Sequence, residues 1–410
     1  MLLVGRAVAG NGGSAYTMFG LGDLRYYPSA RSAAMGYSGI GLPSANSINS
    51  IMPASWSRIG RVRLEANAMY EGINTAEANK ALYQAKGLFN GAMLAIPISP
   101  ANGIVFVGGF SPYSYVGYNT SFANTQDTVS YRINEIGSGG LTKAQAGLSY
   151  APTDNFSLGV SLNYLFGRIS LERSFQPSTA GTSGGSLLVE EANRGIGVTF
   201  GAMYTGFGKV SEALAPFSLG ITFTTKTNVT SDVDNVVLFA AERDTFPTLQ
   251  KTIEIPVSFG VGLAYQLSDR WLFAADYSAQ AWRNARDDGQ PFLNIRNSSR
   301  FGIGAEKLPI KDATRWLDKL SYRLGFSYAA TYFQIFGEPI NEWAFTGGFG
   351  IPIIGETRLN VGIEYAQRGN KTTSIVSGNT VNLVKDSILR VMFSLSISDL
   401  EPWFVRREEE

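Results

Sequence analysis

From about residue 61 to residue 398 the chain alternates large apolar side chains with small or polar ones, in roughly fourteen stretches. Between Phe156 and Phe166 the even positions are Phe, Leu, Val, Leu, Tyr and Phe, and the odd ones are mostly Ser, Gly and Asn. The pattern returns at Ile196, Val198, Phe200, Ala202 and Tyr204; at Ile253 through Tyr265; and at Leu389, Val391, Phe393, Leu395 and Ile397. A period of two is the mark of a β-strand with unlike faces, because successive side chains of a pleated strand point opposite ways. The alternation predicts strands near 61–70, 87–96, 103–111, 141–150, 156–172, 192–205, 217–228, 251–266, 271–282, 295–306, 321–332, 342–352, 357–367 and 386–398.

The apolar face of each strand must meet either a second sheet or lipid. A soluble sandwich or solenoid needs a covering layer or a repeat unit, and no such unit is visible. The connections instead alternate: tight turns such as Pro152–Asn155 and Ser268–Arg270 against long polar stretches such as 71–86 and 112–140. Residues 206–216 and 307–320 depart from this rule, and a short helix is expected near Trp316. Tight turns at one end and long loops at the other, with tyrosines of apolar parity near strand ends, describe a barrel in an outer membrane. The fold class expected is therefore all-β, a transmembrane antiparallel β-barrel of about 14 strands. An even count places both termini on the periplasmic side of a Gram-negative outer membrane. Trp271 and Trp282 bracket one strand with opposite parity and are not read as a pair.

Composition narrows the chemistry. Charged residues make up 16% of the 410, against roughly 25% in soluble domains. Mean hydropathy is +0.00, as lipid-facing and lumen-facing positions in alternation would give. No apolar run approaches the ~18 residues of a membrane helix. A net charge of +1 without a basic block offers nothing to nucleic acid. The absence of Cys and His removes thiolate and imidazole nucleophiles and metal ligands. The pairs Asp287-Asp288 and Glu190-Glu191 are too few oxygens for calcium. No catalytic constellation, cofactor or metal is expected.

Residues 1–58 lack a sustained period and precede the barrel at 59–398; residues 399–410 form a periplasmic tail. Met1-Leu-Leu-Val followed by Ala7-Val8-Ala9 reads either as the end of an apolar leader with its cleavage site or as a flexible terminus. Barrel diameter grows with strand number, so small inward residues cannot fill fourteen strands unaided. The expectation is that the N-terminal segment plugs the lumen. Phe19, Met35, Tyr37 and Ile40 on that plug, with Phe110 and Tyr113, are candidate contacts for a hydrophobic ligand. In the third strand, Gly108 and Gly109 weaken the ladder and Pro112 cannot donate to it, which makes this a candidate lateral opening. Parity places Arg63, Glu65, Glu254, Asp276, Arg323, Glu364 and Arg390 in the lumen, as a pairing network or a selectivity filter. Loops 71–86 and 112–140, with Phe89, Tyr115, Tyr118 and Phe122, would form an outer catch.

The run Ala30-Arg-Ser-Ala-Ala-Met-Gly-Tyr-Ser-Gly-Ile-Gly41, followed by Ile51-Met-Pro-Ala-Ser-Trp56, resembles the start of the FadL/TodX family of outer-membrane transport proteins. That family carries Asn-Pro-Ala before its first strand, and this chain has Met52 in place of the Asn. Pro256 to Tyr265, Trp271, Ala275-Asp276-Tyr277 and Arg323-Leu-Gly-Phe326 also resemble the family's later strands. Leu400-Glu-Pro-Trp-Phe-Val-Arg-Arg407 is similar to the PorV/PorQ-like branch. The resemblance implies a fourteen-stranded barrel with an internal N-terminal plug. It also implies passage of hydrophobic small molecules, which leave sideways at a kinked strand. The PorV-like branch implies an alternative, an adaptor of type IX secretion that binds a secreted or surface protein. Expected partners are thus outer-membrane lipid and either a hydrophobic small molecule or a protein.

Overall fold

The structure is a computed structural model. It describes residues 5–6, 13–25, 29–77, 80–126, 129–178, 183–239, 242–310, 313–335, 337–370, 373–376 and 379–398. The tail expected at 399–410 lies outside the described residues.

The wall begins with β1 (Arg63–Glu77), β2 (Lys80–Ser99), β3 (Ile104–Pro112), β4 (Ser114–Gln126), β5 (Val129–Thr153) and β6 (Phe156–Pro177). It continues with β7 (Gly185–Tyr204), β8 (Phe217–Thr224), β9 (Thr227–Phe239), β10 (Leu249–Ile255), β11 (Ser258–Ser268) and β12 (Trp271–Gln280). The last five segments are β13 (Ser298–Lys307), β14 (Ser321–Ile335), β15 (Glu338–Pro352), β16 (Arg358–Arg368) and β17 (Lys385–Ser398). Three staves are each built from two segments, β3 with β4, β8 with β9 and β10 with β11, so the count is fourteen. Every pairing is antiparallel, and β17 closes the barrel on β1 from Ser398↔Arg63 to Lys385↔Ala76.

The alternation in sequence becomes the two faces of this wall. Leu162, Tyr164, Phe200, Phe259, Phe301 and Phe393 are exposed on the outside. Ser157, Ser161, Asn163, Ser218, Thr222 and Ser298 are buried on the inside. Trp271 lies on the outer face, whereas Trp282 is wholly buried against the Tyr332 ring, 4.7 Å away, in agreement with their opposite parity. A single 3₁₀ turn, Trp316–Lys319, occupies the expected helical spot.

Two expectations need correction. Residues 112–140 and 71–86 are not loops but paired hairpins, with β4 and β5 in register from Val116↔Gly139 to Gln126↔Val129 and β1 and β2 in register to Glu77↔Lys80. Hydrogen-bonded ladders need backbone, not grease, so strands run on past the bilayer after the apolar alternation fades. The second correction concerns the stripe from Ile253 to Tyr265. Ile253 and Ile255 are buried inside, whereas Val257 and Phe259 are exposed outside. The stave kinks at Pro256, which has no N–H for the ladder, and the inward parity switches there. Matching switches occur at Thr225–Lys226 and at Pro112–Tyr113. Glu254 consequently points outward, opposite exposed Asn228, and pairs with Lys226 at 2.6 Å. It is not a lumen charge.

The N-terminal segment runs around the inner wall. Its helix α1 (Ala30–Ala34), capped by the Ser29 hydroxyl, packs on β14, β15, β16 and β17. Gly36 then meets β13 and β14 so closely that a Cβ there would lie 2.5 Å from the Ile303 carbonyl oxygen and 2.4 Å from that of Phe326. Its φ of 65° is in the left-handed region that glycine tolerates. Gly41 sits against Gly262 of β11, and Pro53 and Ala54 against Gly159 and Gly201. Trp56, fully buried, donates its indole N–H to the Asn49 carbonyl at 2.6 Å.

Candidate functional site: a break in the wall and the cavity behind it

The β2–β3 ladder runs from Ser99↔Ile104 to Ala92↔Phe110 and stops. Above it β4 pairs with β5, and among the described residues it forms no ladder with β2. The cause is local. Pro112 supplies no N–H, and Gly91 adopts a φ of 106° where β2 bends away. Gly109 allows the last close approach, since a Cβ there would lie 2.3 Å from the Ala92 carbonyl oxygen.

The edge of β4 that β2 abandons is taken up by the N-terminal segment. Asp23 and Leu24 pair with Tyr115 and Ser114, and Gly5 and Arg6 with Phe122 and Ser121. The Arg25 N–H donates to the Tyr113 carbonyl at 2.9 Å. The Gly117 N–H donates to the Thr17 hydroxyl at 3.1 Å, and that hydroxyl faces the Gly117 carbonyl at 3.0 Å. The Gly13 N–H reaches the other flank, donating to the Gln84 amide oxygen at 2.8 Å. Lys86 of β2 adds a side-chain contact across the gap, 3.4 Å from the Tyr115 ring. Outside the break Phe89 and Phe110 are exposed with ring centroids 5.8 Å apart.

Behind the break lies a cavity of about 190 Å³. Asn90 borders it from one flank, Ser111, Pro112 and Tyr113 from the other, and Leu24, Ile40 and Ile51 from the N-terminal segment. Its far wall is the belt where β8/β9 and β10/β11 kink, rich in hydroxyls from Thr199, Thr222, Thr224, Thr227, Ser258 and Ser278.

Of the residues singled out in the sequence, Ile40, Pro112 and Tyr113 meet at this cavity. Gly108 and Gly109 lie just below the break, still paired to β2 and β5. Phe110 is 45% exposed on the outer face. Phe19 packs instead on the cluster around Leu21 and Tyr332, and Met35 on Leu42, Ala264, Leu272 and Ala274. Tyr37 borders a second cavity, of about 50 Å³, with Glu342, Arg368 and Arg390. Its backbone φ is 65°, unusual for a side chain of this size. Arg300 stacks over its ring at 4.8 Å and its hydroxyl donates to Glu364. Burial, then the Glu364 charge, push that hydroxyl above its ordinary range.

The lumen charges form a fastening network. Arg390 bonds Glu71 at 2.7 Å and also holds Glu364. Arg323 holds Glu306 at 2.8 Å and donates to Asn360 at 2.9 Å. Arg63 reaches Glu356 at 2.7 Å. Glu65 accepts the Ile48 N–H at 3.1 Å, and Asp276 accepts those of Gly39 and Ile40 at 2.6 and 2.7 Å. The N-terminal segment contributes its own partners: Arg25 to Glu71 at 2.9 Å, Arg31 to Glu306 at 2.7 Å and Asp23 to Arg368 at 2.9 Å. Burial works to lower the Arg25 guanidinium, but the Glu71 and Asp23 carboxylates outweigh it and hold it above its ordinary range. Glu71, Glu306, Glu342, Arg368 and Asp386 were missed in the sequence although they continue the inward parity of Arg63, Arg323, Glu364 and Arg390. They fall at or just beyond the ends of the stretches in which the sequence alternates, although Glu71 is mid-strand in β1.

A family model described as BamG matches residues 1–409 of the chain. No curated protein is matched. Among solved structures, the chain is similar to a FadL homologue of Pseudomonas aeruginosa at 14% identity and a TM-score of 0.61, covering 91% of this chain and 98% of that one. The toluene transporter TodX of Pseudomonas putida matches at 17% identity and a TM-score of 0.58, covering 92% and 99%. The Ralstonia pickettii toluene transporter TbuX matches at 15% and 0.58, covering 91% and 98%. At such identities the likeness is one of fold. These structures give the secretion-adaptor reading no support.

Proposed function

We propose a channel function for this chain, which belongs to the BamG family of Gram-negative outer-membrane β-barrels. A small molecule with an apolar body enters the lumen cavity and leaves sideways, between β2 and β4, into the bilayer. Residues 13–58 are the plug of this channel, and residues 13–25 are the part that fills the break. The observation that carries the reading is that one cavity touches both flanks of the interrupted ladder, through Asn90 and through Ser111 to Tyr113. The chains of the same fold described as toluene transporters support it. No energy source is required, because transfer of apolar surface from water to acyl chains is itself downhill, by roughly 25 cal/mol per Å².

The test is accumulation of radiolabelled toluene by cells with and without the barrel. The chain has no native Cys, so a pair introduced as Leu24→Cys with Ser114→Cys is free of competing thiols. These positions face each other in the ladder, at a Cα spacing of about 5 Å that a disulfide can span. The expected result is faster uptake with the barrel, a fall of tenfold or more when the pair is oxidised, and recovery on reduction. Uptake no faster than in cells lacking the barrel overturns the reading.

A further inference from the structure

Lys143 stands on β5, in register with Ser111 of β3 on one side and Leu165 of β6 on the other, at the level where β3 ends. All three residues line the cavity. Among the described residues the Lys143 ammonium has neither an ion-pair partner nor a hydrogen bond, which sets it apart from the other cations there. Arg25 is held by both Glu71 carboxylate oxygens, at 2.9 and 3.1 Å. Arg300 faces Glu342 at 4.0 Å and covers the Tyr37 ring. Among the described residues the lining contains no Asp or Glu. A cation taken out of bulk water is costly unless a counter-charge or good acceptors meet it. Here the other polar groups of the lining are Ser and Thr hydroxyls and the amides of Asn90, Asn163 and Gln280, which satisfy an anion as donors equally well. One inward position further along β5, Gln145 is buried with neither amide atom bonded. This stretch of wall is therefore short of polar partners just where the cavity meets the break.

Size limits what could supply them. An apolar cavity of about 150 Å³ holds benzene, so 190 Å³ suits one ring with one carboxylate attached, not an extended alkyl chain. We infer that the cavity is a binding site for a ring-sized monocarboxylate, with the carboxylate on Lys143 Nζ and the ring against Leu24, Ile40, Ile51 and Tyr113. Lys143 is then the residue that determines specificity for an anionic over a neutral ring. The inference rests on the channel reading and adds the charge class of its cargo.

The experiment is calorimetric titration of the full chain in mild detergent with benzoate and with benzyl alcohol, a neutral ring of similar size. Wild type is expected to bind benzoate at least tenfold more tightly than benzyl alcohol. Lys143→Met should lose that preference and leave benzyl alcohol binding unchanged, whereas Lys143→Arg should keep it. Retention of the heat-dependent gel shift of a folded barrel shows that the variants are intact. Equal affinity of wild type for both probes, or an unaltered benzoate affinity in Lys143→Met, overturns the inference and shows a lysine that is merely hydrated. If neither probe binds and toluene uptake is also unaccelerated, the channel reading falls as well. If toluene uptake stands, only the assignment of Lys143 is lost.

Discussion

The lumen wall has two unlike halves. From β13 round to β1 it is charged: Glu306, Arg323, Glu342, Glu364, Arg368, Arg390, Glu65 and Glu71 are all buried there. From β6 to β12 it is mostly Ser, Thr and Gly, with Asp276 carrying the charged fastening over to Gly39 and Ile40. The charged half binds α1 and its flanks through Arg25, Arg31 and Asp23 and encloses the smaller cavity, of about 50 Å³. The hydroxyl half faces the larger cavity. Buried ion pairs contribute little net stability, because desolvation offsets their attraction. Their work here is placement. Each arginine accepts few positions for its partner, so Asp23, Arg25 and Arg31 hold the start of the N-terminal segment to the charged half, while Gly39 to Ala54 run along the hydroxyl half and leave the cavity beside them.

The strongest way to break this contrast is Arg390→Met. It strips the cation from Glu71 and Glu364 together and from Glu342 at 3.6 Å. Leaving such a group of carboxylates buried and underpaired is expected to cost about 3–5 kcal/mol. Guanidinium unfolding in detergent, followed by tryptophan fluorescence, should show the drop in midpoint. A midpoint shift no larger than that of a surface variant would mean that the network is solvated and fastens nothing.

A smaller effect is expected from Gly36→Ala, where the N-terminal segment touches β13 and β14. The new Cβ meets two carbonyl oxygens at 2.4 and 2.5 Å, at a φ that alanine resists. The expected cost is about 1–3 kcal/mol, borne by the segment and not by the wall. Limited proteolysis should therefore cut within residues 30–58 while the barrel core persists. Uniform loss of the barrel would show that the segment and the wall fold as one unit.

The wall was legible in the sequence because lipid imposes a rule on every second residue. Strand number, closure and inward parity follow from that rule, and Arg63, Asp276, Arg323, Glu364 and Arg390 were placed by it. The rule lapses where lipid does. The hairpins at 71–86 and 112–140 are paired by backbone alone, and the parity switches at Thr225–Lys226 and Pro256 are set by bends that no hydrophobic period records. Glu254 was misplaced for that reason. The break at Pro112 could be anticipated from Gly108, Gly109 and the missing N–H. Its occupant could not, because the pairing of Asp23 and Leu24 with Tyr115 and Ser114 is a match of edges without a side-chain code. Lys143 escaped notice for a related reason: an unpaired charge is recognised only once its neighbours are known.

The smallest expected effect sharpens the comparison from the other side. Thr222 on β8 is buried and borders the cavity in the hydroxyl half. Thr222→Val keeps the branched shape and its β-strand preference and removes one hydroxyl that faces free space. No charge is orphaned and no packing volume is lost, so the change in stability should stay within about 0.5 kcal/mol. The same guanidinium titration used for Arg390→Met measures it. The two halves then differ severalfold in their response to the loss of one polar group. If Thr222→Val instead lowers the midpoint as far as Arg390→Met, the hydroxyls are structural fasteners in their own right, and the division between a fastening half and an open half is wrong.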